Sequence, residues 1–441
     1  MAETDNLDLP PKVLLSHPGT GPFVQHAALA LHEADLLRAY VTSFAYQPAS
    51  RLGTALREVF KLTHSDAERH LSRRQVTELP AELVKVHPLP ELVRMLPVKL
   101  GLGPIVSDLL WEPMELWFDR IVARKHLDGV TAVYGYEHAS LETFRAQKER
   151  GGLCIYDMPI CHHATTQRWV GEEFRKLPQL ATSYDRHRMR LAARRNQRKD
   201  AELELADRVV AASDFVAQSL VDAGTAREKI WVVPSGAPEV DTSKRAADPK
   251  RFVFLVAGTL SVRKGTHYVL SAWSKLRLPF NVELWLVGNW QLPNEMRRNL
   301  PGNVVLQDTV PRQELYGIFD RANVLVLPTL AEGLALTPLQ AMARGLPVIT
   351  TPNSGAGNFI RSGENGWIIP PCDDDALAQT MMLCCEDPSS LEAMGRRAAQ
   401  QMSGWQWSQY RAKLRTVMSA YLDGDWRRNL TDRGAVVTSC N

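Results

Sequence analysis

Residues 325–347 read LVLPTLAEGLALTPLQAMARGLP. The apolar start predicts a strand ending at Pro328. A loop of small residues follows and carries one carboxylate, Glu332. A helix is expected to begin at Thr337 and Pro338 and to stop near Gly345. Thr337 is a good N-cap, and Pro338 stands where its missing amide hydrogen costs nothing. Gln340 then falls at the third helical position, so Thr337 and Gln340 match a capping box. Gly345 suits the left-handed residue after a helix, and Pro347 blocks continuation. This order sets Glu332 and several backbone amides between a strand C-terminus and a helix N-terminus. Open α/β sheets bind phosphorylated ligands at such places. The same residues also satisfy an ordinary βα turn.

The pattern repeats on both sides. Residues 252–258, FVFLVAG, predict a buried strand ending at Gly258. Residues 259–265, TLSVRKG, form a loop holding Arg263 and Lys264, with an apolar helix from about 268 to 276. Cations at that point can neutralise a phosphorylated leaving group. Residues 282–288 and 303–310 give two more strands, the second followed by Val310, Pro311 and a helix through Glu314, Leu315 and Phe319. Residues 347–351 form a strand and 352–357 a glycine-rich loop. Asp373, Asp374 and Asp375 precede a helix near Ala376, where an aspartate caps the helix and complements its dipole.

Strand signals in the first half are 12–16, 131–135, 152–157, 207–213 and 229–236. The first is followed by His17-Pro18-Gly19-Thr20-Gly21 and a helix from about 24 to 32. The third ends at Asp157 and leads to Cys161-His162-His163. The adjacent histidines suggest either a functional pair at a strand edge or, less readily, metal ligands, since no third ligand stands at a convincing spacing. Residues 237–249 are polar and read as an interdomain linker. Trp405 and Trp407 precede a long amphipathic helix to about 422, and residues 430–441 are expected to be loosely held.

Composition fits a large globular enzyme of two domains. The chain has 441 residues, 45% hydrophobic and 23% charged, with a net charge of +3. That charge is too small to argue for nucleic acid. The six cysteines lack zinc spacing and read as reduced thiols. The acidic start is not a signal peptide, and no apolar run reaches the ~20 residues of a membrane span. A cytoplasmic protein is expected. No Gly-x-Gly-x-x-Gly follows the first strand, which argues against a Rossmann dehydrogenase.

Together these motifs resemble the nucleotide-sugar site of retaining GT-B glycosyltransferases, specifically glycosyltransferase family 4. The family signature is Glu, Gly, two small or apolar residues, Leu, three residues and a second Glu. Glu332, Gly333 and Leu336 match, and Gln340 stands in place of the second Glu. The family's Gly-Arg-Leu, spacer and Lys-Gly are represented by Gly258, Thr259, Lys264 and Gly265, with Arg263 offering the charge from a shifted position.

The resemblance implies an α/β fold of GT-B architecture. Two Rossmann-like doubly wound domains, residues 1–238 and 249–404, would face each other across a cleft. A C-terminal helix over 405–425 would cross back to the first. Lys264, Arg263 and the amides near Leu336 and Thr337 would hold the diphosphate, Glu332 the sugar hydroxyls, Gln340 the ribose and Val310 the base. Gly19 and Gly21 would let the backbone approach the transferred sugar, and Asp157, His162 and His163 would stand near its reacting face. The implied reaction moves a hexose, with retention, from a UDP- or GDP-sugar to a hydroxyl of a glycan or glycolipid precursor, without metal or other cofactor. An inactive GT-B scaffold or a sugar-nucleotide epimerase are the alternatives.

Residues 50–127 read as a helical insertion with Leu92, Leu96 and Leu100 at fourfold spacing. Solvated helix faces are expected here and over the cationic run 186–199. Contact with the inner face of an anionic membrane is the alternative for the insertion.

Overall fold

The apolar runs read as strands form strands, most of them buried, with Val304–Gln307 half exposed. The computed structural model describes residues 10–46 and 74–425. The first sheet holds β1 (Val13–Ser16), β2 (Leu37–Thr42), β3 (Val84–Val86), β4 (Ala132–Tyr136), β5 (Leu153–Met158), β6 (Arg208–Ala211) and β7 (Ile230–Val232). Their order is β3-β2-β1-β4-β5-β6-β7. The second sheet holds β8 (Phe252–Ala257), β9 (Val282–Val287), β10 (Val304–Gln307), β11 (Val324–Leu327), β12 (Val348–Thr350) and β13 (Gly366–Ile368), in the order β10-β9-β8-β11-β12-β13. The pairs of this second sheet are all parallel. Each sheet therefore has a place where the chain reverses its direction of travel, between β1 and β4 in the first and between β8 and β11 in the second. Open α/β sheets bind ligands beyond the strand C-termini at such switch points.

Residues 158–190 and 211–410 form one compact unit, and the described residues before 158, 191–210 and those after 410 form another. In the former, β8 is buried along its whole length, and the helix Thr266–Lys275 lays Val269, Ala272 and Trp273 against the core. In the latter, Arg411 on the helix Trp407–Ala420 reaches Glu33 with its guanidinium at 2.7 Å.

Two caps follow the expected chemistry. Ser213 accepts from Val216 N at 3.2 Å, and Asp373 accepts from Ala376 N at 2.8 Å, so the aspartate run serves its helix. Thr337 does not cap. The helix starts at Leu336 after Ala335, whose amide is drawn onto Ser354 O at 2.9 Å, and neither Thr337 nor Gln340 makes a capping bond. Gly345 does take the left-handed conformation, at φ 71°.

The cationic run 186–199 is not simply solvated. It lies on the helix Ser183–Leu205, where Arg195 is buried against Asp108 and Arg198 pairs with Asp119. Of the insertion, 50–73 lies outside the described residues, as does 430–441. The remainder is not wholly helical: it supplies β3 to the first sheet before the helices Pro88–Lys99 and Gly103–Lys125.

Candidate active site

The second switch point gathers the charged candidates. Gly258 ends β8 at φ 120°, and the following loop runs to Gly265. Arg263 O accepts from Leu330 N at 2.8 Å and from Thr329 Oγ1 at 2.9 Å, stitching this loop to the one after β11. Gly265, at φ 73°, sits where a Cβ would come within 1.9 Å of Pro328 O. Only glycine permits both that conformation and that approach.

These backbone contacts aim two cations at one carboxylate. Lys264 Nζ stands 2.5 Å from Glu332 Oε1, and Arg263 pairs with the same oxygen while also donating to Ala331 O at 3.0 Å. The Lys264 side chain is 15% exposed and Glu332 12%, against 32% for Arg263. Burial pulls the Lys264 ammonium below its ordinary value; Glu332 opposes that shift and Arg263 adds to it. Two cations against one carboxylate leave a surplus positive charge at the strand ends. It lies beside the N-terminus of the helix Thr266–Lys275, whose dipole has the same sign. This arrangement attracts an anion.

The same loop holds the histidine segment by its backbone. Cys161 N donates to Glu332 O at 3.2 Å, and Ile160 bridges Gly333 in antiparallel fashion. A Cβ on Gly333 would lie 1.7 Å from Pro159 O, so glycine is what lets the strands touch. Gly333 O in turn accepts from Ser213 Oγ at 2.6 Å. His162 is buried, its amide donating to Ser219 Oγ at 2.9 Å, and its ring lies 4.0 Å from that of His163. Glu332 and the His162–His163 segment thus belong to one unit. Val310, Leu336, Thr337 and Gln340 are half-buried, and Gln340 makes no side-chain hydrogen bond among the described residues.

Sequence reasoning missed the supports. Asn353 Nδ2 donates to Leu330 O at 2.8 Å and Thr351 Oγ1 to Thr329 O at 2.6 Å, fixing the Glu332 loop from the β12 side. The small polar run 350–354 was the available signal. Buried Glu173 accepts from Tyr268 OH at 2.8 Å and meets His267 Nε2 at 3.1 Å, steadying the helix that follows Lys264. No local pattern announces that contact.

The other candidates lie in the unit that holds β1 to β4. His17, at the end of β1, accepts from Gly19 N on Nδ1 at 2.8 Å, and Tyr40 OH donates to Gly19 O at 2.9 Å. Burial lowers the His17 pKa to about 4, so the ring is neutral. Its edge contacts Tyr136 at 4.8 Å and Phe23 at 5.7 Å, a packing role the sequence did not suggest. Gly21 precedes the helix Pro22–Glu33. Asp157 is buried and accepts from Tyr134 OH at 2.6 Å. Desolvation raises its pKa to about 7, against the pull of the Tyr134 and Tyr136 hydroxyls.

A carboxyl with a raised pKa favours the folded state at low pH, and that contribution is lost as pH rises from about 4 to about 7. Asp157→Asn is therefore expected to flatten the decline in unfolding free energy over that interval. Urea titrations at either end of it measure this; parallel declines in both proteins would contradict it.

Comparison with known proteins bears on both units. Residues 239–401 match the family model described as glycosyl transferases group 1. The chain is 27% identical over 197 residues to the MMP alpha-(1->4)-mannosyltransferase of Mycolicibacterium hassiacum, covering 42% of this chain and 48% of that protein. It thus spans about half the length of the curated relatives it matches. Sucrose-phosphate synthase from Thermosynechococcus elongatus aligns over 94% of this chain and 100% of its own, at TM-score 0.62 and 16% identity. Anabaena HepE in complex with UDP-glucose aligns over 93% and 99%, at TM-score 0.58 and 16% identity. The fold is GT-B, with two parallel sheets flanked by helices.

Proposed function

We propose that this chain, which carries a glycosyl transferases group 1 domain over residues 239–401, transfers a hexose from a nucleoside-diphosphate sugar to a hydroxyl acceptor. The observation that carries the reading is the Arg263–Lys264–Glu332 cluster at the C-terminal ends of β8 and β11. Lys264, with Arg263, neutralises the diphosphate as the sugar–phosphate bond breaks. Glu332 accepts hydrogen bonds from sugar hydroxyls, and Gly333 with the amides near Leu336 and Thr337 lets the backbone approach the donor. Val310 borders the base. Gly19, Gly21, Asp157, His162 and His163 serve the transferred sugar and the acceptor.

The acceptor oxygen forms the new bond to the anomeric carbon from the face that the leaving group quits, so configuration is retained. The departing phosphate oxygen takes the acceptor's proton, and no protein base is required. The donor is a UDP- or GDP-hexose; that HepE, of the same fold, holds UDP-glucose supports the first. The acceptor is a polysaccharide or glycolipid precursor at the inner membrane face. Incubation with labelled UDP- and GDP-hexoses tests the reading. Glycosylated product with the donor's anomeric configuration supports it, and free sugar alone would favour an epimerase.

Gln340 faces the ribose in this reading. A neutral amide offers one acceptor oxygen, and charge-assisted hydrogen bonds are about twice as strong as neutral ones. Gln340→Glu is expected to tighten nucleotide binding by roughly 5-fold. Titration calorimetry reads this directly, and weaker binding in the variant would remove Gln340 from the ribose.

A further inference from the structure

His138 stands just past the C-terminal end of β4, beside the place where the first sheet reverses direction. Its backbone is left-handed, at φ 76°, a conformation that side chains other than glycine's rarely adopt. A clamp from the helix Ser183–Leu205 holds it there. The His138 amide donates to Glu202 Oε2 at 2.7 Å, its carbonyl accepts from Arg198 Nε at 3.0 Å, and Ser140 N donates to Glu202 Oε1 at 3.1 Å. Tyr156 OH fixes Glu202 in turn, at 2.7 Å. The ring so placed is 2% exposed, and neither Nδ1 nor Nε2 has a hydrogen-bond partner among the described residues.

Trp111 packs against this ring. It is half-buried on the helix Gly103–Lys125, the longer arm of the 88–125 hairpin, and its ring lies 4.7 Å from that of His138. Its indole N–H donates to Glu115, and Arg195 sits over its ring at 5.1 Å. Pro113 follows two residues later, inside the same helix. Proline has no N–H to offer Leu109 O. The turn that carries Trp111 therefore lacks one hydrogen bond and opens more readily than its neighbours.

Backbone strain and unpaired buried nitrogens both oppose folding, and an apolar side chain would pack on Trp111 without the second. Such features persist at binding sites. The surroundings name the ligand. Burial, then the charges of Arg198 and Lys199, lower the His138 pKa to about 4, so the ring is neutral. A neutral imidazole offers one donor and one acceptor, which suits hydroxyl groups. The nearby cations are already matched: Arg195 with Asp108 and Glu112, Arg198 with Asp119, and Lys199 with Glu137 at 3.0 Å. An anion would find no unmatched charge among them. We propose that His138 binds a hydroxyl of a carbohydrate acceptor through a ring nitrogen, reached when Trp111 turns aside and offers its face to the sugar ring. The acceptor so identified is a sugar or polyol, an assignment that rests on the transferase reading.

Saturation-transfer NMR of the full chain with the methyl α-glycosides of glucose, mannose and galactose, and with myo-inositol, tests this. At least one of these probes is expected to bind the parent protein. His138→Gly keeps the left-handed backbone without strain and removes the ring. Its affinity for that probe is expected to fall by about 10-fold, as for a lost hydrogen bond in a buried site. His138→Asn tolerates the same backbone and offers both a donor and an acceptor, so part of the affinity should return. Cooperative unfolding transitions would show that both variants fold. A glycine variant that binds as the parent does, or a parent that binds none of the four probes, would overturn the proposal. UDP and GDP titrations of the same proteins read the donor site separately. They are expected to match the parent's, because Lys264 and Glu332 lie in the other unit.

Discussion

Lys264→Ala is expected to weaken nucleoside-diphosphate binding by about 100-fold and to lower the transfer rate by roughly 10²–10³-fold. The reason is geometric. Lys264 is the less exposed of the two cations, 15% against 32% for Arg263, and water screens its charge less. Removing it leaves Glu332 with Arg263 alone and cancels the surplus positive charge. Truncating one member of a buried charge pair costs about 2–5 kcal/mol, partly because the other is left uncompensated. Arg263→Ala should have the smaller effect, because its more exposed guanidinium is better screened. Steady-state kinetics of both variants, once a donor is identified, check the ranking. A Lys264→Ala enzyme with parental kcat and KM would remove the lysine from the site.

Gly265→Ala should destabilise the unit by about 3 kcal/mol or more, as strain at positive φ adds to a backbone collision. The added methyl would sit 1.9 Å from Pro328 O, an atom that cannot swing aside as a flexible side chain would. The loop after β8 is bonded across to Thr329 and Leu330, so relieving the clash would separate the two loops that carry Lys264 and Glu332. Stability and nucleotide affinity should fall together. Gly302→Ala is the control: its Cβ would meet nothing within 4 Å, and its φ is not positive. Denaturant midpoints of the two variants separate the cases. Equal midpoints would mean that the approach of Gly265 to Pro328 is not what joins the loops.

Five strands of the second sheet, β8 to β12, were legible as short apolar runs with turn residues behind them; β13 was not read as a strand. Lys264, Gly265, Glu332 and Gly333 were legible as a motif. The ion pairs joining Glu332 to both cations depend on β8 and β11 being neighbours, which sequence order does not state. Thr337 misled because its own cap propensity was outweighed by a hydrogen bond from Ala335 to Ser354, a residue of another loop. The 186–199 run misled for a similar reason. Its arginines look solvated until the hairpin supplies Asp108, Glu112 and Asp119 as buried partners. Glu173 was invisible because its partners, His267 and Tyr268, lie some ninety positions away.

The central claim is that the Arg263–Lys264–Glu332 cluster binds a nucleoside diphosphate. Calorimetric titration of the protein with UDP, GDP and ADP, beside Lys264→Ala, tests it most directly. Micromolar binding of one nucleotide, lost in the variant, is the expected result and would select the sugar donors to try. Binding of none of the three by the folded parent protein would contradict the claim.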